Sequence, residues 1–378
     1  MEILKEFVNY NFRFILLSRY PTEKAYGATT EYSARVLHQG GISTVIVTPQ
    51  IDYTRNSKVK VYSRLEFISR ILLTRKTAKL KTIRFNIFIL LYSFSIRNSF
   101  RKNKNVYWCR DLYLTYLLSI LSKDFFICEI HRTPDRFQGF FLKLLSKKPN
   151  VLLAPIANFL PSEFTLDADK SVLAPMAISL EELDFFSKNS RPKQKKLIYL
   201  GNPYSSIYPL NVDLLNEVGY HISDLYPDWV LEIIGIEECF FTSNISRAKC
   251  KNILLPGVLS RKNAHLKLAT ASIGLIIYPN HRWFQDSFPI KIVEYSAASI
   301  AIIASDTLSH KRILDDQRCV YFDLGSIESL KLSVSRLIED TSYRNRLATN
   351  SRAWSEYFTY ENRVKKILEK LNFQIFRI

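Results

Sequence analysis

Two carboxylates, Asp286 and Glu294, stand with seven residues between them in the segment YPNHRWFQDSFPIKIVEYSAASIAIIAS, Tyr278 to Ser305. Pro289 marks the turn into a helix, where proline suits the first turn. An acid in the loop and a second acid about one to two turns into the helix can face the same cavity. The backbone N–H groups of Phe288, Ile290 and Lys291 at that helix start receive an anion. Acid pairs at a fixed spacing are common by chance, so the weight of this one lies in its setting of strand, turn, helix and following strand. Elsewhere, His131 ends an apolar strand, and Glu129, two residues earlier, shares its face. Two readings fit His131: a satisfied core imidazole, or a group lining a cleft. Arg110 and Asp111 read either as a surface ion pair, worth little to stability, or as cleft residues. Glu129 either lines the cleft or is a strand-end charge near solvent.

The elements that would position these groups alternate as strand and helix for most of the chain, which predicts α/β construction with parallel sheets. Buried strands are read at Phe12–Ser18, Ser43–Thr48, Val106–Trp108, Phe125–Ile130 and Val151–Pro155, with helices at Thr30–Leu37, Leu112–Leu121 and Phe137–Leu145. A polar segment containing Pro192, SKNSRPKQKK, then reads as a linker, and the alternation restarts at Leu197. The expected organisation is a first domain over 1–186, a linker over 187–196, a second domain over 197–354 and a closing amphipathic helix over 355–378. In open α/β sheets ligands sit beyond the carboxyl ends of the strands, and two such sheets facing one another make a cleft.

A chain of 378 residues with 47% hydrophobic content supports two cores and excludes a disordered protein. Five cysteines, odd in number and widely spaced, with no CxxC pair, argue against a disulfide framework or a zinc site and suit a reducing cytoplasm. The apolar run Phe14–Leu17 is too short for the core of a signal peptide. The net charge of +18 is concentrated: residues 55–104 hold fourteen Lys or Arg and one acid, Glu66. Such a stretch faces an anionic partner or lies in solvent. Within it, Phe85–Ile96 is apolar nearly all round but too short to span a bilayer. It suits a helix in an anionic membrane interface, or a core helix between solvated ends. Aromatics are not interleaved with the cations as a nucleic-acid stacking platform needs, so no nucleic-acid partner is expected.

The Tyr278–Ser305 segment closely resembles the E-x7-E region of the retaining glycosyltransferase family 4, with Asp286 in place of the usual first Glu. GATTEYSARVLHQGGISTVIVTP (Gly27–Pro49), VYWCRDLYLTYLLSILSKDFFICEIH, KLIYLGNPYSSIYPLN, VLEIIGI, NILLPGVLSRKNAHLKLATASIGLIIYP and the closing NSRAWSEYFTYENRVKKIL fall into register with it along nearly the whole chain. The resemblance implies the GT-B fold, an α/β fold of two Rossmann-like doubly wound domains facing across a cleft, with a C-terminal helix crossing back to the first. It implies that Glu294 binds the ribose hydroxyls and that Asp286 with the backbone of Ser287, Phe288, Pro289 and Ile290 holds the donor sugar. Gly27, Gly201, Tyr204 and Ser205 join the donor side, and Gly257, Val258 and Leu259 flank the base. His131 lies beside the transferred sugar, and Arg110, Asp111 and Glu129 lie on the acceptor side.

One departure matters. Many members carry an Arg and a Lys after the YLG strand to neutralise the diphosphate, whereas this chain reads Asn202, Pro203, Tyr204, Ser205, Ser206. Either Lys291 or Arg282 supplies the charge, or hydroxyls and the helix N-terminus suffice, or the chain is a degenerate member. The implied activity is metal-independent transfer of a sugar, with retention, from a nucleoside diphosphate sugar to a glycan or lipid-linked acceptor. No cofactor or metal is implied beyond the donor substrate, and the expected place is peripheral, at the inner face of the cell membrane. The rival enzyme readings are a sugar-nucleotide epimerase or a phosphorylase of the same architecture. The non-enzymatic rival is a basic membrane- or nucleic-acid-binding protein.

Overall fold

The computed structural model describes residues 2–17, 25–49, 59–63, 78–101, 104–131, 133–157, 166–189, 192–201, 212–236, 252–278 and 288–376. The chain divides into two units, Met1–Pro175 with Tyr360–Ile378, and Met176–Thr359.

In the first unit the order is β1 (Asn11–Ile15), α1 (Ala25–Gln39), β2 (Ser43–Thr48), β3 (Lys60–Ser63), α2 (Ala78–Ser99), β4 (Asn105–Cys109), α3 (Leu112–Leu121), β5 (Phe125–Ile130), α4 (Arg136–Ser146) and β6 (Val151–Pro155). The strands form one parallel sheet in the order β3-β2-β1-β4-β5-β6. Runs such as TVIV and VYWC are buried throughout, as a parallel sheet covered by helices on both faces requires. Asp111 and Asp135 cap α3 and α4 by accepting from the backbone N–H of Leu114 and Gln138.

The second unit holds α5 (Leu180–Lys188), β7 (Lys196–Leu200), α6 (Val212–Leu225), β8 (Val230–Ile234), β9 (Ile253–Gly257), α7 (Arg261–Thr270), β10 (Ile273–Ile276), α8 (Ile290–Ala297), β11 (Ala301–Ser305), α9 (Leu308–Ile313), β12 (Cys319–Phe322), α10 (Ile327–Glu339) and α11 (Thr341–Ser355). Its parallel sheet runs β12-β11-β10-β7-β8-β9, over a core that includes Leu197, Leu231, Ile233, Leu275, Ile303 and Phe322. Each such side chain contributes about 1.5–3 kcal/mol when fully buried.

The last helix, α12 (Tyr360–Ile375), returns to the first unit and packs on α1. Tyr360 stacks on Tyr32 at 5.0 Å between ring centroids, and Gln374 Nε2 donates to the Val151 carbonyl at 3.0 Å.

Three features differ from the reading of the sequence. A short strand, β3, lies within the basic stretch and pairs with β2; too polar to read as a buried run, it is the edge strand of its sheet. The helix expected at Phe85–Ile96 runs for 22 residues, because Lys and Arg are good helix formers and extend an apolar nucleus at both ends. The contact division falls between Pro175 and Met176, so the segment read as a linker lies inside the second unit. Lys193 Nζ there donates to the carbonyls of Ala269 and Ala298 at 3.2 and 2.6 Å, and the buried Lys196 pairs with Glu232 at 3.0 Å. Those long-range contacts hold a segment that is polar enough to read as loose.

Candidate functional site

At the carboxyl ends of β4 and β5, Glu129 is 2% exposed and its two oxygens are saturated. Oε1 accepts from Trp108 Nε1 at 2.8 Å and from Arg363 Nη2 at 2.6 Å. Oε2 accepts from Arg110 Nε at 2.9 Å and lies 2.7 Å from His131 Nε2. Burial pushes this carboxyl up, but Arg363 and Arg110 outweigh it and hold it well below the usual carboxylate range. An ionised carboxylate only accepts, so His131 Nε2 carries the proton and Nδ1 presents its lone pair. Burial, then Arg110, lowers His131 to about 4, so the imidazole is neutral at physiological pH. Arg363 also donates to the Pro175 carbonyl at 3.0 Å, which ties α12 to this cluster. The two terminal nitrogens of Arg110 are buried and have no hydrogen-bond partner among the described residues. A neutral imidazole with an open lone pair beside an under-used guanidinium can hold the hydroxyl or anionic group of a ligand.

The second cluster lies at the carboxyl edge of the other sheet. Three chain ends draw together there: Gly201 N–H donates to the Ile234 carbonyl at 2.9 Å and Gly235 N–H to the Gly257 carbonyl at 2.8 Å. Gly235 has φ +94°, and a Cβ on it would stand 1.7 Å from the Gly201 carbonyl oxygen, so only glycine permits the approach. Helix α8 rises from this edge with Pro289 at its N-cap and no side-chain cap, unlike α5, α7 and α9, which are capped by Ser or Thr. Uncapped N–H groups in a first turn are a ready anion slot. Lys291 stands in that turn, its ammonium 4.8 Å from the centre of the Tyr199 ring and 5.8 Å from that of Tyr278. Burial lowers it to about 8, with Glu294 pulling it upward, and an arriving phosphate would restore full charge.

Glu294 is 6% exposed. Its Oε1 lies 3.1 Å from Arg261 Nη2 and 3.7 Å from His265 Nε2, while Arg261 Nε donates to Glu182 at 2.6 Å. Burial pushes Glu294 up, but Arg261 and His265 bring it down to about 2. It is an ionised acceptor at the carboxyl edge of the sheet, where ligands of open α/β sheets sit.

Of the residues singled out from the sequence, the structure brings Arg110, Glu129 and His131 into one cluster and Gly201, Gly257, Lys291 and Glu294 to one sheet edge. Asp111 caps α3, Gly27 lies in the first turn of α1, Phe288 is buried, and Val258 is exposed. Leu259 precedes the Ser260 cap of α7. Tyr204, Ser205, Arg282, Asp286 and Ser287 lie outside the described residues. Trp108, Glu182, Gly235, Arg261, His265 and Arg363 were not found from the sequence. Gly235 alone carried a local signal, a glycine directly after an apolar strand.

Residues 181–354 match the family model for glycosyl transferases group 1. The match spans nearly all of the second unit, including α8 and Glu294. The chain has the GT-B fold, shared with a glycosyltransferase from Rickettsia africae at TM-score 0.70 and 13% identity, covering 97% of this chain and 99% of that one. WaaG, a glycosyltransferase involved in lipopolysaccharide biosynthesis, is similar at TM-score 0.67 and 10% identity, covering 95% and 98%. HepE of Anabaena, in a complex with UDP and glucose, is similar at TM-score 0.64 and 11% identity, covering 96% and 99%. No curated protein matches the chain by sequence. The family match and the fold together support a glycosyltransferase.

Two histidines, the buried His310 and the half-buried His131, contribute to the acid response of the fold. Burial lowers His310 to about 4 despite its bond to the Ser305 carbonyl at 2.8 Å, and His131 falls to about 4 as well. Unfolded histidine titrates near 6.5, so between about 6.5 and 4 the unfolded chain binds protons that the folded chain does not. Stability therefore falls as pH drops through that window. Urea unfolding from pH 7.5 to 4.5 is expected to show this loss, and His310→Asn to flatten it. A flat profile in the unaltered protein would mean that these imidazoles accept protons in the fold.

Proposed function

We propose that this chain is a retaining, metal-independent glycosyltransferase of the family 4 type, which moves a sugar from a nucleoside diphosphate sugar to an acceptor hydroxyl. The observation that carries this reading is Glu294, ionised and buried on α8 beside Lys291 and the uncapped helix start, inside the segment that matches the family model. Glu294 accepts the ribose hydroxyls, and Lys291 with the first-turn N–H groups takes the diphosphate. This answers the missing cations after β7. As the sugar departs, negative charge grows on the diphosphate, and preorganised donors aimed at that charge lower the barrier. Asp286 serves the donor sugar, and His131 Nδ1 accepts from one of its hydroxyls. Arg110 with its open nitrogens serves the acceptor.

The acceptor is a glycan or lipid-linked saccharide of the cell envelope, capsule or lipopolysaccharide, met at the inner face of the membrane. The basic segment 55–104 supports that placement, since each Lys or Arg near an anionic surface contributes about 1 kcal/mol. The UDP and glucose bound in the HepE structure support a nucleotide-sugar donor.

A thermal-shift screen of nucleoside diphosphates and their sugars tests the reading. At about 100 times Kd a ligand stabilises the fold by about 2.7 kcal/mol, and one nucleotide is expected to raise Tm by roughly 5–10 °C. No response to any of them would remove the donor site.

A further inference from the structure

Helices α2, α3 and α4 lie side by side, α2 packed on α3 and α3 on α4. Their inner faces are buried through Phe88, Tyr92, Leu114, Leu118, Phe141 and Leu145. A soluble layer would turn charge outward. This one does not. On α2 the outward stripe is Ile87, Leu90, Leu91 and Phe94, at helical spacing and 46, 42, 42 and 43% exposed. Helix α3 carries no charged residue, and the residues it leaves accessible include Tyr113, Tyr116 and Ile120. On α4, Phe137 and Phe140 are 55 and 58% exposed. Rings join the last two helices, with Tyr113 5.8 Å from Phe137 and Tyr116 5.3 Å from Phe141. The outer surface is thus one apolar and aromatic face across three helices.

The charge on this layer is predominantly positive. Among the described side chains the three helices carry Arg97, Arg136 and Lys143 and no Asp or Glu, and the acids that precede α3 and α4, Asp111 and Asp135, accept from the backbone N–H of Leu114 and Gln138. At the ends of α2 and α3, Arg97, Arg101 and Lys123 line a common hollow with Ile120 and one acid, Asp124, so cations outnumber acids there three to one. Two copies of such a face would bring like charges together, whereas an anionic bilayer takes the cations at its headgroups and the aromatic rings at its acyl boundary. Among the described residues no helix is long and apolar enough to cross a membrane, so a bilayer meeting this face would be met at its surface.

From this surface we infer that the outer face of α2, α3 and α4 is the docking surface for an anionic lipid bilayer, with Phe137 and Phe140 as inserting residues. The inference deepens the membrane placement given above and rests on none of the donor-site chemistry. It extends the contact well beyond the basic segment, to residues that carry no sequence signal for lipid. A membrane set against this layer would also hold a lipid-linked acceptor close to the unit that carries Arg110 and His131.

Co-sedimentation with vesicles of phosphatidylcholine, alone and mixed with phosphatidylglycerol, tests it, using the full chain and the Phe137→Ser/Phe140→Ser variant. The unaltered chain is expected to bind the mixed vesicles and not the neutral ones. The variant should lose at least about tenfold in affinity, a lower bound, because two fully inserted aromatic side chains supply on the order of 100-fold and these two are already partly covered in the fold. Its nucleotide binding by calorimetry should be unchanged, which separates this test from the donor reading. A Phe140→Trp variant gives a second readout that does not depend on the double substitution. Its fluorescence should shift to the blue with mixed vesicles and be quenched by brominated lipid, relative to the unaltered chain. Equal binding to both vesicle types, full affinity in the double variant, or no shift at position 140 would overturn the proposal. So would a dimer in sedimentation velocity that the double variant abolishes without any vesicle binding, since the face would then join two copies.

Discussion

Glu129→Gln is expected to destabilise the first unit by about 3–5 kcal/mol, the cost of removing one partner from a buried charge cluster. The carboxylate sits between Arg363, itself 2% exposed as a side chain, and Arg110. Glutamine keeps the shape but leaves two guanidinium groups out of water with no counter-charge. It also offers an NH2 group where only acceptors are wanted. Against a whole-domain stability of about 5–15 kcal/mol, that is a large fraction. Urea unfolding of both proteins checks the value.

A second substitution distinguishes charge from packing. Arg363→Met in the Glu129→Gln background removes one stranded cation, so the double variant should be more stable than the sum of the two single effects implies. A Glu129→Gln variant within about 1 kcal/mol of the unaltered protein would mean that water reaches this cluster, and the pull on His131 would then need another source. Arg363 also anchors α12 through Pro175 and Ser33. Its loss should therefore speed amide exchange along α12 before the rest of the unit.

The legible part of this fold was the part written in short apolar runs. TVIV, FFICEI, VLLAP and AIIAS are buried strands in the structure, because a parallel sheet covered on both faces favours apolar residues along its length, with Glu129 admitted only by its buried partners. The pairing of Glu129 with His131 was legible too, since residues two apart on a strand share a face. The partner that matters most to Glu129 was not: Arg363 is 234 residues away, and no local pattern marks a helix that returns to another unit. Arg261 was hidden in the same way, as one cation among many on a basic chain, until the fold set it 3.1 Å from Glu294. The two-faced character of α2 was half legible. Its all-round apolarity predicted burial, which one face has, while the exposed stripe on the other face is what the docking proposal rests on.

Glu294→Gln is expected to weaken nucleoside diphosphate binding about 10- to 150-fold, the equivalent of losing a charge-assisted hydrogen-bonding group worth about 1.5–3 kcal/mol. The side chain is nearly inaccessible in the free protein, and Arg261, His265 and Lys291 all favour its charged form. Charged, it offers acceptors only, as the proposed contact with the ribose hydroxyls requires; as an amide it offers one acceptor and two unwanted donors. Arg261 need not be stranded by the change, because Glu182 already accepts from its Nε at 2.6 Å, so the variant should fold with a Tm close to that of the unaltered protein. Arg261→Met separates contact from positioning. If Arg261 acts by orienting Glu294, its loss should cost less affinity than Glu294→Gln, and the double variant should bind nearly as the Glu294→Gln variant does, since the second change removes support for a group already lost. Additive losses would place Arg261 on the ligand itself. Unchanged affinity in a folded Glu294→Gln variant, measured by calorimetry with the nucleotide found in the thermal screen, would take this carboxylate out of the donor site. The segment it shares with Asp286 would then be a structural turn rather than a binding one.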